Sequence, residues 1–202
     1  MRKPDRRTER TRAALMSAFI AVLLADGYEA ATVEHVAAKA NVGRSTFYMH
    51  YTGKDDILRQ SLTRPSSVLA VLVGNTLPAD VLTKQLVHFH EQRRRNHIFF
   101  EGAVRKIWVK ALAGLIEPRL AALVRHTGAR PALPLPLAAL QIAEGQIALV
   151  ANWLTVKPSL PAERIAETLA ATTRAQAAVL LGLGAGAALT IPGERLTVRE
   201  ER

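Results

Sequence analysis

The sequence predicts an all-α protein, and three observations carry that prediction. Apolar residues recur at intervals of three and four positions through most segments, which is the period of a helix. Aromatic residues make up only 5% of an alanine- and leucine-rich chain, whereas β-sandwiches and barrels favour aromatic and β-branched residues. Hydrophobic residues reach 49% and charged residues 22%, a composition that excludes a mainly disordered chain.

Composition also narrows the class of function. The 202 residues include no cysteine, which excludes disulfides, thiolate metal sites and cysteine nucleophiles. The longest nearly apolar run, residues 177–191, is shorter than the about 20 residues that a spanning helix needs. The chain also starts with a charged stretch instead of a secretory signal, so we expect a cytoplasmic protein without a membrane partner. A net charge of +10 suggests a polyanionic partner.

The first predicted helix runs from about residue 7 to 25. Leu15, Phe19 and Leu23 lie on one apolar stripe, and Gly27 is placed to end the helix. Residues 2–12 carry six basic and two acidic side chains. They are either a solvated tail or an arm that follows a DNA groove.

The next two predicted helices are short and separated by a tight turn. Thr32 is a good N-cap for a helix over residues 33–40, and Asn41-Val42-Gly43 can form the turn. A second helix over residues 44–51 points Phe47 inward and carries no acidic residue. This is the layout of a helix-turn-helix whose second helix suits a negatively charged groove.

These residues resemble a known family. The stretch from Arg10 to Leu58 is similar to the N-terminal domain of TetR-type (TetR/AcrR) transcriptional regulators, with matches in Gly27-Tyr28, Thr32-Val33 and residues 40–51 and 54–58. The resemblance implies an N-terminal three-helix helix-turn-helix head over residues 1–53. It also implies a helical ligand-binding and dimerisation body over residues 54–182, and we expect a weakly ordered tail over residues 183–202.

The same resemblance assigns roles within the head. The positions that match base-facing positions of the family are Arg44, Thr46, Tyr48 and Met49. The positions that match its phosphate-binding positions are Thr32, Ser45, Tyr48, His50, Tyr51 and Lys54. Independently of the family, an arginine can pair with both guanine O6 and N7, and a methionine can contact a thymine methyl group. The predicted partner is therefore a double-stranded DNA operator.

Helical patterns continue through the body. The predicted segments are 54–73 with a bend at Pro65, a helix from Pro78 past residue 93, 99–116, 118–126, 137–156 and 162–181, with a Gly- and Pro-rich loop at 127–136. Arg93-Arg94-Arg95 is either a solvated corner or an additional phosphate contact.

Aromatic and apolar residues of the middle helices are candidates for a ligand pocket, with ordinary core as the alternative for each. They are His88, Phe89, Phe99, Phe100, Trp108 and Leu112. We expect a lipophilic or amphipathic small molecule, for which an acidic group is one option because residues 61–130 carry 11 basic and four acidic side chains.

The last two helices can pair with the same helices of a second copy as a four-helix bundle, or they can complete this chain's own core. The resemblance favours the homodimer. The candidate interface residues are Ile147, Val150, Ala151, Leu154, Ile165 and Leu169.

No enzyme or metal pattern stands out, and no cofactor is expected. His88 and His90 face different sides of a helix and cannot chelate one metal together. The expected function is that of a homodimeric regulator, most simply a repressor, that a small molecule releases from palindromic DNA. Two alternatives stay open: a DNA-binding protein of the same fold without a small-molecule inducer, and an all-α enzyme that uses a cavity in the body.

Overall fold

The computed structural model describes residues 6–75, 77–157, 160–184 and 186–192. Within these ranges all regular structure is helical, which confirms the predicted fold class. A short 3-10 turn, His97–Phe100, lies between two of the helices. The α-helices are α1 (Arg6–Asp26), α2 (Val33–Lys39), α3 (Arg44–Tyr48), α4 (Lys54–Ser61), α5 (Thr63–Val71), α6 (Ala79–Glu91), α7 (Arg93–Asn96), α8 (Gly102–Thr127), α9 (Leu135–Trp153) and α10 (Ala162–Leu180).

The chain divides into two compact units. Unit 1 comprises Met1–Thr63 and Arg94–Trp108, and unit 2 comprises Arg64–Arg93 and Val109–Arg202. Helix α4 therefore belongs with the helix-turn-helix, whereas we expected the head to end at residue 53. Unit 1 also takes in a segment of the middle of the chain that the sequence placed in the body.

Unit 1 is built around the apolar stripe of α1. Leu15, Phe19 and Leu23 are fully buried, and α1 contacts both α2 and α4. Ile57 and Leu58 of α4 are also fully buried. Burial of this stripe stabilises α1 because a helix gains most of its stability from packing one apolar face.

Unit 2 contains α6, α9, α10 and most of α5 and α8, and α10 packs against both α6 and α9. Its core is mostly apolar but has a polar centre. The amide nitrogen of the buried Gln146 donates to the Leu69 carbonyl at 3.1 Å and to Thr173 Oγ1 at 3.0 Å. Such bonds offset the free-energy cost of burying an amide.

Two prolines behave differently from each other. The segment predicted as one helix with a bend at Pro65 is split into two: α4 ends at Ser61, and Pro65 lies in the first turn of α5, where backbone N–H groups need no helical partner. Pro118 does not start a new helix as predicted; it lies inside α8. The helix continues there because the carbonyl that Pro118 leaves without a donor belongs to Gly114, whose backbone adapts most easily.

The described part of the tail belongs to unit 2 and packs against the rest of it. Leu189 is buried, and the Ile191 N–H donates to the Gly74 carbonyl at 2.8 Å. Gly74 has a φ of 90°, and an added Cβ would lie 2.8 Å from the Ile191 side chain, so only glycine fits there. We expected a weakly ordered tail from residue 183; residues 193–202 lie outside the described part.

None of the described helices is long and apolar enough to cross a membrane.

Candidate nucleic-acid interface

Thr32 starts α2 as predicted. Its Oγ1 accepts a hydrogen bond from the His35 N–H at 3.2 Å, which satisfies one of the free donors of the first turn. Glu34 lies in the same turn, where the helix dipole favours a negative charge. The cap fixes where α2 begins, and with it the direction of the following turn.

The turn between α2 and α3 closes around Asn41. Its φ of 54° is in the left-handed region that asparagine tolerates. The Val42 N–H donates to the Ala37 carbonyl and the Asn41 N–H to the Ala38 carbonyl, both at 3.0 Å. This pair of bonds is a Schellman motif, which ends α2 and directs the chain into α3.

Helix α3 has one buried side and one exposed side. Phe47 is fully buried, and its ring centroid lies 5.6 Å from that of the buried Tyr51. Tyr48 and Met49 are 51% and 74% exposed, and Arg44 is also exposed. The helix ends at Tyr48, three residues earlier than predicted, so Met49 follows it as the C-cap.

Of the predicted base-facing residues, Arg44, Tyr48 and Met49 are exposed and Thr46 is half-buried. Arg44 pairs with Glu34 of α2 at 3.0 Å, with both side chains more than half exposed. An exposed pair of this kind contributes only about 0–1 kcal/mol. Arg44 can therefore exchange Glu34 for another acceptor at little cost. Sequence reasoning placed Glu34 at the helix start but missed this pair.

Lys54 is held by the loop between α1 and α2. Its Nζ lies 4.4 Å from the centre of the Tyr28 ring, 3.2 Å from Glu29 Oε2 and 3.4 Å from the Tyr28 carbonyl oxygen. The Tyr28 hydroxyl donates to Asp55 next to Lys54. Burial, and then the bond to the Asp55 carboxylate, raise the pKa of Tyr28. These contacts fix the start of α4, and the sequence indicated none of them.

Asp56 completes the start of α4. It accepts hydrogen bonds from the Thr52 N–H at 2.9 Å and from the Gln60 amide at 3.2 Å. Partial burial acts to raise the pKa of Asp56, but the hydrogen bonds from Thr52 and Gln60 and the nearby Arg59 charge outweigh it, so the pKa is lowered.

The remaining predicted phosphate-binding residues differ in how far their side chains are exposed to solvent. Thr32 and Ser45 are exposed, and His50 is half-buried. Tyr51 is buried, and its hydroxyl donates to the Arg12 carbonyl at 3.4 Å. Burial raises the pKa of Tyr51, against the opposing effect of Arg12.

The basic N-terminal segment continues α1. Residues 6–12 are helical instead of forming an extended arm, and Arg6 and Arg10 are exposed. Arg12 donates to the Gln60 side chain of α4. Residues 2–5 of the predicted arm lie outside the described part.

The residues predicted for a ligand pocket lie in both units. In unit 1 the Phe100 and Trp108 rings pack 5.1 Å apart, and Phe99 is half-buried. In unit 2 Leu112 is fully buried, while His88 is exposed and Phe89 half-buried. A cleft of about 560 Å³ in unit 2 is lined by other residues, from α6, α10 and their surroundings. The predicted set thus stays a prediction.

Most residues predicted for a dimer interface are buried within the single chain. Ile147, Val150, Ile165 and Leu169 are at most 4% exposed, whereas Ala151 and Leu154 are half-buried. The large apolar side chains that α9 and α10 leave exposed are Leu137, Leu140 and Val179. Trp153 is buried, where its Nε1 donates to the Leu160 carbonyl at 2.9 Å and its ring stacks on His90.

The residues that the structure describes include no cluster of side chains suited to binding a metal ion. No set of three or more histidine, aspartate or glutamate side chains is close enough to hold an ion there.

Comparison with known proteins identifies the same N-terminal stretch. Residues 15–60 match the model for bacterial regulatory proteins of the tetR family. An HTH-type transcriptional regulator of Bacillus subtilis (strain 168), YxbF, which is uncharacterized, is 41% identical over 61 residues. That match covers 30% of this chain and spans 16% of the length of the curated relative.

Two solved structures share the fold over most of both chains. A TetR transcriptional regulator from Streptococcus agalactiae 2603V is 22% identical with a TM-score of 0.50, covering 84% of this chain and 96% of that one. A structure assigned to the TetR family of transcriptional regulators from Syntrophomonas wolfei str. Goettingen is 15% identical with a TM-score of 0.52, covering 84% and 95%. The matched residues coincide with the helix-turn-helix described above, so the similarity to bacterial regulatory proteins of the tetR family is shown for this N-terminal domain.

Proposed function

We propose that the protein is a homodimeric, cytoplasmic transcriptional repressor that binds a palindromic DNA operator through α3. The observation that carries the proposal is the two-sided character of α3. Buried Phe47 anchors one side in the core, and the opposite side exposes Arg44, Tyr48 and Met49 to solvent. A helix held this way can enter the major groove as a rigid element.

The exposed side of α3 carries chemistry that suits base edges. Arg44 can donate two parallel hydrogen bonds to guanine, and Met49 and the Thr46 methyl group can contact a thymine methyl. The Glu34 carboxylate that pairs with Arg44 lies on α2 and would be exchanged for the base on binding. The sequence preference of the protein would then depend mainly on Arg44.

Phosphate contacts would come from the edges of the same surface. Ser45 is exposed, and Lys54 carries three N–H donors, of which two meet Glu29 and the Tyr28 carbonyl. The pair between Lys54 and the exposed Glu29 can be exchanged for a phosphate oxygen. Tyr51 fits this role less well, because its hydroxyl hydrogen is already used by the Arg12 carbonyl.

Dimerisation through the outer face of α9 and α10 would supply the second half of the operator contact. Leu137, Leu140 and Val179 expose apolar area on these helices, and a two-fold dimer would bury the same patch from both chains. Two copies of α3 would then read two half-sites in symmetric orientation.

A small molecule bound in the body would release the DNA. The ligand need only bind more tightly to the dimer geometry that does not fit the operator, since an equilibrium shifts by the difference in affinity for its two states. The cleft in unit 2, at about 560 Å³, is in the size range of small-molecule sites.

The test is selection of binding sites from a pool of random double-stranded DNA by the purified protein. We expect enrichment of a sequence with two inverted half-sites about one helical turn apart. Enrichment of single, unpaired half-sites would contradict the homodimer. Retention of the pool without any preferred sequence would contradict base reading by α3.

A further inference from the structure

A cleft in unit 2 lies where the first part of α6 meets α10. It has a volume of about 560 Å³. Its lining residues are Leu72, Leu77, Pro78, Asp80, Leu82, Thr83, Glu163, Ala166, Glu167, Ala170 and Arg174. All of them belong to one compact unit, so the cleft is a feature of that unit alone.

The floor of the cleft is apolar and built into the core. Leu72 and Leu82 are at most 3% exposed, and Ala166 is 7% exposed. Alanine at 166 and 170, one helical turn apart on α10, leaves the space that larger side chains would fill. The floor can therefore bury an alkyl or aromatic group of a ligand, which is the main source of affinity for an apolar group.

The rim of the cleft is acidic, in a chain whose net charge is +10. Three carboxylates and one guanidinium line it: Asp80, Glu163, Glu167 and Arg174. Glu163 and Glu167 are one turn apart on the same side of α10, and neither forms an ion pair with any residue in the described part of the chain. Asp80 pairs with Lys84 at 2.9 Å.

We propose that this cleft binds an amphipathic cation, with its apolar group on the Leu72–Leu82–Ala166 floor and its ammonium group between Glu163 and Glu167. Because neither glutamate has an ion-pair partner among the described residues, a cation can bind between them without displacing one. Arg174 lies two helical turns after Glu167, too far along α10 to neutralise both glutamates. The preferred charge is opposite to the acidic ligand that the basic middle segment of the sequence suggested.

Binding in the cleft does not depend on DNA. That the cation is also the molecule that releases the operator rests on the proposed function. The two claims are therefore measured separately, ligand binding by calorimetry on the DNA-free protein and operator binding by gel shift with and without the same compound.

The experiment compares three probes that share one alkyl chain: decyltrimethylammonium, decanol and decanoate, each below its aggregation concentration. At low salt we expect the cation to bind about tenfold more tightly than the anion, with the neutral probe between them. The difference is modest because each exposed carboxylate contributes only a small part of the binding free energy. Equal binding of the three probes, tighter binding of decanoate, or no binding of any probe would overturn the proposal.

Variants locate the site. Glu163→Gln with Glu167→Gln should remove the preference for the cation and leave decanol binding unchanged. Glu91→Gln with Glu101→Gln is the matched control, because it removes the same two charges at exposed acids that do not line the cleft. If this control lowers cation binding as much as Glu163→Gln with Glu167→Gln does, the effect comes from net charge alone and the proposed site is wrong.

A second variant tests the floor. Ala170→Phe places a ring in the cleft and should weaken the cation and decanol alike by about tenfold or more, by filling the space that they need. Circular dichroism checks that the variant keeps its helical content. A folded Ala170→Phe protein that binds both probes as the wild type does would show that they bind elsewhere.

Discussion

The exposed surface of α3 and the outer face of α9 and α10 differ in the chemistry that they present to solvent. Helix α3 exposes Arg44, Ser45 and Tyr48, which are donors and a cation, with Met49 beside them. The outer face of α9 and α10 exposes Leu137, Leu140 and Val179. The first surface suits a polyanion with hydrogen-bonding edges, and the second suits an apolar partner such as its own copy.

This difference has a consequence for salt. Binding to DNA through cations releases counterions and weakens steeply as salt increases. Association through apolar area is much less sensitive to salt, because no charge pairs are screened. The two surfaces can therefore be told apart by changing one solution variable, and the substitutions below separate them further.

The largest effect is expected from the core that supports α3. Phe47→Ala removes a fully buried ring and should lower the free energy of unfolding by about 3–5 kcal/mol. Met49→Ala is the control, because Met49 is 74% exposed and its loss should change stability by no more than about 0.5 kcal/mol. Denaturant unfolding of the two variants measures this. Similar losses for both would mean that Phe47 does not anchor α3.

The next effect concerns the apolar surface. Val179→Asp should weaken the homodimer by about 3 kcal/mol, roughly 100-fold in Kd, because each chain would bury an unpaired charge. Val156→Asp is the control at a similarly exposed valine that lies outside α9 and α10. Sedimentation velocity over a range of concentrations measures dissociation. If Val156→Asp dissociates the protein equally, or if the wild type is a monomer, the outer face of α9 and α10 is not the interface.

Leu169 would not serve in that test. Leu169 is 1% exposed within the single chain. A charge at this position would destabilise the fold of the monomer itself, so a loss of the dimer could not be assigned to the interface.

A smaller effect is expected at the cap of α2. Thr32→Ala removes the acceptor for the His35 N–H and should cost about 1 kcal/mol of stability. Thr32→Ser keeps the hydroxyl and should stay close to the wild type. Thermal unfolding of the pair measures the difference, and equal melting temperatures would show that the cap does not stabilise the head.

The smallest effect is a change in pH dependence at the start of α4. The pKa of Asp56 is lower in the folded protein than the usual value of about 3.9. Its stabilising contribution is therefore present above that value and lost as pH falls through the folded pKa. Asp56→Asn should make stability fall less steeply on acidification, as followed by unfolding curves from neutral to acidic pH. An unchanged slope would contradict the role given to the Thr52 and Gln60 hydrogen bonds.

The helix-turn-helix could be predicted from the sequence because its signals are local. Thr32 as a cap and Asn41 as the left-handed turn residue each act within five positions, and the structure confirms both. In the body the same helical periodicity predicts an apolar face, but it does not indicate whether the same chain or a second copy buries that face. Ile147 and Leu169, predicted as interface residues, are covered by their own chain.

Other features of the molecule depend on contacts between distant segments. Asp80 and Glu167 line one cleft although 87 positions separate them, and no local pattern brings α6 to α10. The contacts of Lys54 with Tyr28 and Glu29 likewise join α4 to the loop after α1. Such sites become visible only once the packing of the helices is known.

The central claim is that α3 reads bases through Arg44 while Lys54 contributes only phosphate binding. Competition binding on a library of operator variants at several salt concentrations tests it most directly, with Arg44→Ala and Lys54→Ala beside the wild type. Arg44→Ala should cost about 1–3 kcal/mol and remove the preference at one base pair in each half-site. Lys54→Ala should weaken binding to all sequences alike and reduce the magnitude of the salt slope by about one per subunit. Full base preference in Arg44→Ala together with altered preference in Lys54→Ala would contradict the account.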